Sequence, residues 1–301
     1  MAGVPLSACR MSEDIRDIKI IKRDTVSTGS GCFPKTPCSR GQGEEVRFCI
    51  TETGLLFSTI SDEAPSFDEF FPDLKPLINT VDFTKLPYRR SIKYEGRFNW
   101  KTMVDGYQEC LHCQYTHPSF SLYYPPTFYT VYNHRNFCQH VADPKKPDDG
   151  LFLYFFPNCT LNVYGGGMSS FRVCPTEKPG ITRMEFDYYN LETGDKFEEY
   201  FKFVRTVAME DYELCEKAQE NLEKGIYSEG ILNPEKETGV ACEYLSRIST
   251  LLTIFAGYQQ QVLDLVCTQH MRDMTTQFDE HRGNHHLGTA MASCLVHPAT
   301  S

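Results

Sequence analysis

Short β-like runs followed by long helical stretches constrain the fold of this chain more than any other feature of its sequence. Apolar and aromatic residues recur in short runs bounded by Gly, Pro and Asn, as is typical of antiparallel strands. The predicted strands are 127–132, 150–156, 159–164, 169–174 and 181–189. Helical periodicity follows over 195–222 and again over 240–271. This order predicts an α+β fold in which an antiparallel sheet packs on long helices.

The N-terminal region has a different character from the rest of the chain. Residues 1–45 are polar and punctuated by Gly and Pro, which predicts an irregular arm. Strand-like runs begin at Val46, and the region after the first predicted long helix ends in a polar tail. We therefore expect three parts: the arm over 1–45, a main domain over 46–254, and a helical extension with its tail over 255–301.

Composition and charge limit the partners and the compartment that can be expected. A net charge of −10 disfavours nucleic acid and anionic membranes as main partners. The longest apolar run, 248–258, is much shorter than the roughly 20 residues that span a bilayer. The N-terminus lacks the apolar core of a signal peptide, so we expect a cytoplasmic protein. In that compartment the 13 scattered cysteines would be reduced thiols.

The most informative segment runs from Asn99 to Pro118. It predicts a helix over 99–113 with Asn99 as its N-cap, and on such a helix Asp105, Glu109 and His112 share one face. A carboxylate one turn before a histidine can accept the second ring N–H and leave the other nitrogen for a metal. His117 lies five residues past His112, which is about 140° round an ideal helix. The helix must therefore end or distort between the two histidines, and Pro118 is consistent with an end.

Two imidazoles and one carboxylate on one side of an ion form the facial triad of non-haem iron(II) oxygenases. The remaining side of such an ion stays open to O2 and a substrate. The third ligand must come from elsewhere in the chain, and Glu210 and Asp211 are the best candidates. Spacing alone leaves the choice between these two carboxylates open.

Three blocks of sequence resemble one family. The segment NWK…D-G-Y-Q-E-C-x-H-x4-H-P, over 99–118, is similar to the catalytic-domain signature of Rieske-type ring-hydroxylating oxygenase α-subunits. The Pro157-Asn158…Leu161-Asn162 run resembles a strand motif of that family. A third block starts at Glu210-Asp211 and continues to Glu237-Thr-Gly-Val240. Within the family the resemblance is closest to the branch of choline and quaternary-amine monooxygenases.

The resemblance implies a helix-grip (START-like) catalytic domain, which would be the part over 46–254, and a trimer. It implies that His112, His117 and Asp211 are iron(II) ligands, with Asp105 and Glu109 as the catalytic carboxylates beside them. Glu109 would bridge the iron site to a neighbouring subunit's Rieske cluster. The substrates would be O2 and a small organic molecule, with a quaternary amine such as choline and a secondary metabolite as the two candidates, and a reductase would supply electrons.

The chain also departs from the family pattern. The family holds a [2Fe–2S] cluster with C-x-H and C-x2-H ligands, yet residues 1–90 contain no histidine. Cys110-x-His112 and Cys138-x-His140 are C-x-H pairs that we interpret as decoys. We therefore expect no cluster ligands in this chain and an external Rieske-containing subunit as the electron donor.

Two rival functions are consistent with the same residues. The chain could be a catalytically silent helix-grip domain that binds a ligand or regulates a relative. It could also be a hydrolase that uses Cys110 or Cys113 as a nucleophile, although neither has a distinct base partner.

Three further patterns have a simple interpretation beside a functional one. Four tyrosines could form an aromatic cage for a quaternary ammonium or could pack a loop: Tyr123, Tyr124, Tyr129 and Tyr132. The glycines at 165–167 predict a turn rather than a phosphate loop. The histidines at 281, 285 and 286 fit a polar tail better than a metal site.

Overall fold

The computed structural model describes residues 6–10, 18–22, 44–59, 61, 63–143, 145, 150–226, 230–233, 235–242 and 292–293. The chain divides into two compact units, one formed by residues 1–88 with 288–301 and the other by residues 89–287. The boundary at 88/89 differs from the predicted boundary at 45/46, because the strands after Val46 pair within the first unit.

The first unit contains six short strands and two short helices in its described part. These elements are β1 Leu6–Arg10, β2 Ile18–Lys22, β3 Glu44–Glu45, β4 Arg47–Ile50, β5 Leu56–Thr59, α1 Phe67–Phe70, α2 Leu74–Ile78 and β13 Ala292–Ser293. The prediction of an irregular arm over 1–45 is wrong for β1, β2 and β3, which pair in one antiparallel sheet. The Ile-Lys-Ile-Ile pattern of β2 accounts for this strand, since Ile20 is buried against Val46 and Leu56.

The second unit is built on a seven-stranded sheet with the strand order β6-β12-β11-β10-β9-β8-β7. Its strands are β6 Tyr88–Gly96, β7 Thr130–Asn133, β8 Phe137–Val141, β9 Leu151–Phe155, β10 Cys159–Tyr164, β11 Gly167–Pro175 and β12 Thr182–Asn190. From β7 to β12 each strand pairs antiparallel with the next strand along the chain. The β10–β11 hairpin turns at Gly165 and Gly166, whose φ values of 60° and 79° are the left-handed values that such a tight turn requires. The predicted turn at these glycines is confirmed.

The described residues of this unit include four helices that accompany the sheet. They are α3 Trp100–Tyr107, α4 Cys113–Thr116, α5 Pro118–Tyr123 and α6 Gly194–Glu223. The 30-residue helix α6 buries Phe197, Val204 and Cys215, whose spacings of 7 and 11 residues place them on one stripe. This stripe joins the core of the unit, and α6 packs against both α3 and α4. The predicted α+β class, with an antiparallel sheet against a long helix, is confirmed.

Two elements differ from the sequence prediction. Strand β8 was not predicted, because its Phe-Cys-Gln-His-Val sequence interrupts the apolar run with polar residues that are in fact buried or half-buried. The helix predicted over 99–113 ends at Tyr107, six residues early. The helix predicted over 240–271 lies outside the described residues beyond residue 242. In the described part of the chain, no helix combines the length and apolar character needed to cross a bilayer.

Candidate metal centre

The backbone between α3 and α5 brings the two histidines of the motif together. Asn99 caps α3 by accepting a hydrogen bond from the Lys101 amide, as predicted. After α3 ends, residues 108–112 form a turn, and His117 lies between α4 and α5, with Pro118 opening α5. The two breaks place His112 Nε2 3.2 Å from His117 Nε2. The predicted helix is indeed broken, but before His112 and at His117, whereas residues 113–116 between the two histidines form α4.

Helix α6 supplies the third group of the cluster from a distant part of the chain. Asp211 Oδ1 lies 2.9 Å from His117 Nε2 and 3.3 Å from His112 Nε2. His117 is buried, with 2% of its side chain exposed, and Asp211 retains 29% exposure. The predicted ligand set of His112, His117 and Asp211 therefore converges on one point at the edge of the core.

The donor atoms of this cluster have the spacing that a six-coordinate ion requires. Three ligand bonds of about 2.1 Å at right angles to one another place their donor atoms about 3.0 Å apart. The observed separations are 2.9, 3.2 and 3.3 Å. Imidazole nitrogens and a carboxylate oxygen this close repel one another unless a proton or a cation lies between them. The residues therefore fit a divalent metal ion such as iron(II).

A carboxylate holds each imidazole from behind. His112 donates its Nδ1–H to Glu109, and His117 donates its Nδ1–H to Glu210 Oε2 at 2.8 Å. These bonds fix both tautomers and direct both Nε2 atoms towards Asp211. The two candidate carboxylates therefore occupy different positions. Glu210 contacts the back of His117, while Asp211 faces the two Nε2 atoms.

Asp105 behaves differently from the other predicted carboxylates. It lies half-buried on α3; burial, then the charge of Asp211 and lastly that of Asp105 raise the pKa of the buried Cys215 thiol on α6. It is absent from the described residues that line the cavity beside the cluster, whereas Glu109 is present there. The structure thus places Glu109 at the site, whereas Asp105 does not line the cavity.

The electrostatics of the cluster favour a bound positive charge. Burial lowers the pKa of His112, but hydrogen bonds with Asp211 and Glu109 outweigh burial and raise that pKa to about 10. The same competition raises the pKa of His117. Burial alone would raise the pKa of Asp211, yet the two histidines lower it. A metal ion entering this site would displace protons, so its affinity would increase with pH.

An aromatic cavity opens beside the cluster. Its volume of about 100 Å³ is several times the ~10–15 Å³ that one water molecule needs by the same measure. The aromatic residues that line it are Tyr107, Phe120, Tyr129, Phe152, Tyr164, Phe171, Phe186 and Tyr188. Asn162 and Ser169 add polar groups, and no Lys or Arg lines the cavity among the described residues.

Only part of the predicted tyrosine cage reaches this cavity. Tyr129 lines it, and Tyr124 is buried against Phe120 and Phe152 just behind. Tyr123 and Tyr132 are 70% and 46% exposed and contribute nothing to the wall. The other aromatic residues of the wall were not predicted, since they come from α3, α5 and four strands that lie far apart in the chain. Their signal is the alternation along β10, β11 and β12, where every second residue faces inward.

A buried histidine supports Tyr129 from behind the wall. His140 is 1% exposed, donates Nε2–H to Gln108 Oε1 at 2.8 Å and accepts the Tyr129 hydroxyl hydrogen at Nδ1, at 2.6 Å. Gln108 is oriented in turn by its amide contact with Cys138 Sγ. Burial lowers the pKa of His140 to about 3, so the ring is neutral. The Tyr129 oxygen can therefore offer only lone pairs to a molecule in the cavity.

The cysteines of the motif are joined to each other. Cys110 and Cys113 form a disulfide, so the prediction of reduced thiols throughout is wrong for this pair. The turn that follows α3 brings the two Cα atoms within 5.0 Å, which is close enough for a bond. The disulfide also removes the free thiol that the hydrolase hypothesis needs. Neither predicted decoy pair offers a free thiol beside a free imidazole, since Cys110 is bonded and His140 is engaged.

Comparison with protein families gives one match that covers more than half of the chain. The family described as ring hydroxylating alpha subunit (catalytic domain) matches residues 83–143 and 125–242. The matched segments contain all five residues of the cluster and its supporting carboxylates: Glu109, His112, His117, Glu210 and Asp211.

Curated relatives are oxygenase subunits. The carnitine monooxygenase oxygenase subunit of Acinetobacter baumannii is 25% identical over 214 residues, which are 62% of this chain and 56% of that protein. The Escherichia coli subunit of the same name is 25% identical over 223 residues, or 66% of this chain and 58% of that protein. The chain thus spans a little over half the length of these relatives.

Solved structures share the fold. The quaternary ammonium Rieske monooxygenase CntA, in complex with an inhibitor, aligns with a TM-score of 0.58 at 22% identity over 68% of this chain and 61% of that one. Naphthalene 1,2-dioxygenase from Rhodococcus sp. aligns with a TM-score of 0.51 at 13% identity over 70% of this chain and 67% of that one. The first is a Rieske monooxygenase and the second a dioxygenase by name, and the likeness shows that the chain has the predicted α+β fold.

Proposed function

The chain belongs to the ring hydroxylating α-subunit family, which it matches through the catalytic domain, and from this premise we propose that it is an iron(II)-dependent oxygenase acting on a quaternary ammonium compound. The observation that carries the proposal is the convergence of two imidazoles and one carboxylate at the wall of an aromatic cavity.

In this proposal His112, His117 and Asp211 hold the iron, and Glu109 and Glu210 orient the two imidazoles. Bound iron(II) supplies the activation of O2 for the balanced reaction R–H + O2 + 2 electrons + 2 H⁺ → R–OH + H2O. The protein orients the substrate C–H bond and keeps bulk water out with the aromatic wall. Three protein ligands on one side leave the cavity side for the reactants.

The cavity favours a cation. Its wall presents aromatic faces and, within the described part of the chain, no Lys or Arg side chain. Aromatic faces attract quaternary ammonium groups through their negative quadrupole. Because the Tyr129 hydroxyl hydrogen is directed at His140, the oxygen presents its negative end to a bound cation. The relatives named for carnitine and for glycine betaine support the same substrate class.

The other end of the substrate is expected to be neutral. Carnitine and glycine betaine carry a carboxylate, which needs a cationic or several neutral donors once it is removed from water. The described wall offers amide and hydroxyl groups from Asn162 and Ser169 instead. We therefore favour a quaternary ammonium alcohol such as choline over a betaine. Aromatic ring hydroxylation finds no support in the names of the curated relatives.

The electrons must come from outside this cavity. Residues 1–90 contain no histidine, so the Rieske ligand pattern is absent from that part of the sequence. We propose a Rieske-containing partner subunit with its reductase as the donor, in an oligomer of the family's trimeric kind. Glu109, which binds the back of His112, would face that donor.

Metal binding tests the proposal directly. Anaerobic titration of the metal-free chain with iron(II) is expected to give one ion per chain and a higher unfolding temperature. His112→Ala, His117→Ala and Asp211→Ala should each abolish binding, while Glu213→Gln, an exposed carboxylate two residues along the same helix, should leave it intact. A folded chain that binds no iron but still binds a quaternary amine would establish the silent ligand-binding domain instead.

Substrate class is tested with matched small molecules. Choline should bind the iron-loaded chain about tenfold more tightly than 3,3-dimethyl-1-butanol, which replaces the charged nitrogen by carbon. Carnitine should bind less tightly than choline. With a chemical reductant and ¹⁸O2, the choline product should carry one labelled oxygen. Equal affinity for the neutral analogue would contradict the cationic assignment, whatever the result of the iron titration.

A further inference from the structure

We propose that Cys110 and Cys113 are a redox-active pair, which switches between disulfide and dithiol and thereby controls how firmly His112 is held for a metal. This inference goes beyond the proposed function, since it concerns a covalent modification of the turn that carries His112. It rests on the proposed function for two things, the metal that His112 would bind and the source of the oxidant.

The disulfide closes a ring around a metal-binding side chain. The ring contains residues 110–113, so Leu111 and His112 lie between the bonded cysteines. Within it the Cys113 amide donates a hydrogen bond of 3.3 Å to the Cys110 carbonyl. From His112 onwards the backbone is held by α4, because the amides of Tyr115 and Thr116 donate to the His112 carbonyl. On the N-terminal side of His112, the disulfide cross-links Cys110 in the turn to Cys113, the first residue of α4.

The disulfide also constrains the Glu109 and His112 side chains, which are hydrogen-bonded to each other. Glu109, which fixes the His112 tautomer, immediately precedes Cys110. Opening the S–S bond would release the Glu109–His112 pair from α4 on one side. The imidazole would then have to be ordered at the moment of metal binding, which lowers affinity.

Both sulfur-bearing residues lie where a small reagent can reach them. Cys110 and Cys113 line the same cavity as His112 and Asp211, although each is only 5% exposed. The turn itself lies at the surface, since Leu111 is 42% exposed. The other cysteines that the structure describes as free do not line this cavity: Cys49, Cys138, Cys159, Cys174, Cys215 and Cys242. Among the cysteines whose state the structure describes, the position beside the cluster is therefore specific to this pair.

The chemistry needs a hydroperoxide and a dithiol reductant. On oxidation, two thiols and one H2O2 give one disulfide and two H2O: the S–S bond forms, the O–O bond breaks, and sulfur supplies two electrons. Two-electron reduction of O2 without substrate would generate such a peroxide beside the pair. On reduction, an external dithiol transfers two electrons and two protons to Cys110 and Cys113 and becomes a disulfide itself.

The test compares the full chain in its two redox forms. Peroxide-treated and phosphine-reduced samples are prepared without metal, and alkylation followed by mass spectrometry counts the thiols at Cys110 and Cys113. Iron(II) affinity is then measured anaerobically for both forms. The disulfide form should bind iron about tenfold more tightly than the dithiol form. Cys110→Ser/Cys113→Ser should match the dithiol form in every sample, and Cys174→Ser should behave as the unmodified chain.

A second readout separates this inference from the proposed function. Amide hydrogen exchange over residues 109–117 should be faster in the dithiol form than in the disulfide form. If neither form binds iron but exchange still follows the redox state, the proposed function fails, while redox control of the turn that carries His112 stands. A pair that stays reduced with peroxide overturns the inference, and so does equal exchange together with equal iron affinity in the two forms.

Discussion

Acidification should destabilise this protein through His140, a residue remote from the solvent. Burial lowers the pKa of His140 to about 3, whereas an unfolded histidine titrates near 6.5. The unfolded chain therefore binds a proton first, and the free energy of unfolding falls as the pH drops below 6.5. At pH 5, about 1.5 units below the unfolded pKa, protonation of His140 stabilises the unfolded state by about 2 kcal/mol. The loss continues until the pH approaches 3.

The assay uses the only tryptophan of the sequence. Trp100 opens α3 in the second unit, so its fluorescence reports unfolding of the unit that contains His140. Urea unfolding at pH 7.5 and pH 5.0 is compared for the unmodified chain and for His140→Asn. The variant should be about 1–3 kcal/mol less stable at pH 7.5, because the Tyr129 and Gln108 bonds are impaired. At pH 5.0 that difference should shrink by about 2 kcal/mol.

Other titrating groups cancel in this comparison, since they are common to both proteins. The two histidines of the metal cluster have raised pKa values and would change stability with pH in both chains alike. If the unmodified chain and His140→Asn lose the same stability between pH 7.5 and pH 5.0, the burial argument for His140 is refuted.

Three further substitutions test the supporting structure. Glu210→Gln should weaken iron(II) binding about 10–100-fold by removing the anionic partner of His117, and an effect as small as that of Glu213→Gln would contradict this role. Gly106→Ala should raise the unfolding free energy by about 0.5–1 kcal/mol, because an added Cβ meets no atom within 4 Å in this helical position; a loss of stability in urea unfolding would refute it. Arg172→Met should cost about 3–5 kcal/mol in the same assay, since it removes the guanidinium 2.8 Å from the buried Asp187 carboxylate, and a neutral result would be incompatible with that ion pair.

The histidine pair illustrates what sequence spacing can establish. Five residues on a regular helix separate two side chains by about 140°, so a shared ion requires a break, and Pro118 indicates where the next helix begins. In the structure the chain breaks before His112 and again at His117, and the next helix begins at Pro118. The same reasoning could not choose between Glu210 and Asp211. Neighbouring residues on α6 point about 100° apart, and only the rotation of the helix against α4 decides which one faces the Nε2 atoms.

The cavity illustrates what spacing cannot establish. Tyr164, Phe171 and Tyr188 meet at one wall because β10, β11 and β12 are neighbours in the sheet. Each strand shows only its own alternation, and the partner strands are fixed by pairing over the whole meander. The disulfide was missed for a different reason: the expected compartment, rather than the local Cys-x-x-Cys spacing, determined the prediction of free thiols.

The order of segments in the chain gives the cluster a role in assembly. His117 precedes the strand meander and Asp211 follows it, at a sequence separation of 94. An ion bound by both residues would close a loop that contains six consecutive strands. It could therefore bind only after those strands had paired in the sheet. Retention of the ion would then report that the sheet is correctly paired. A cleaved backbone or a misregistered strand anywhere within the loop would cause metal loss, far from the site of the defect.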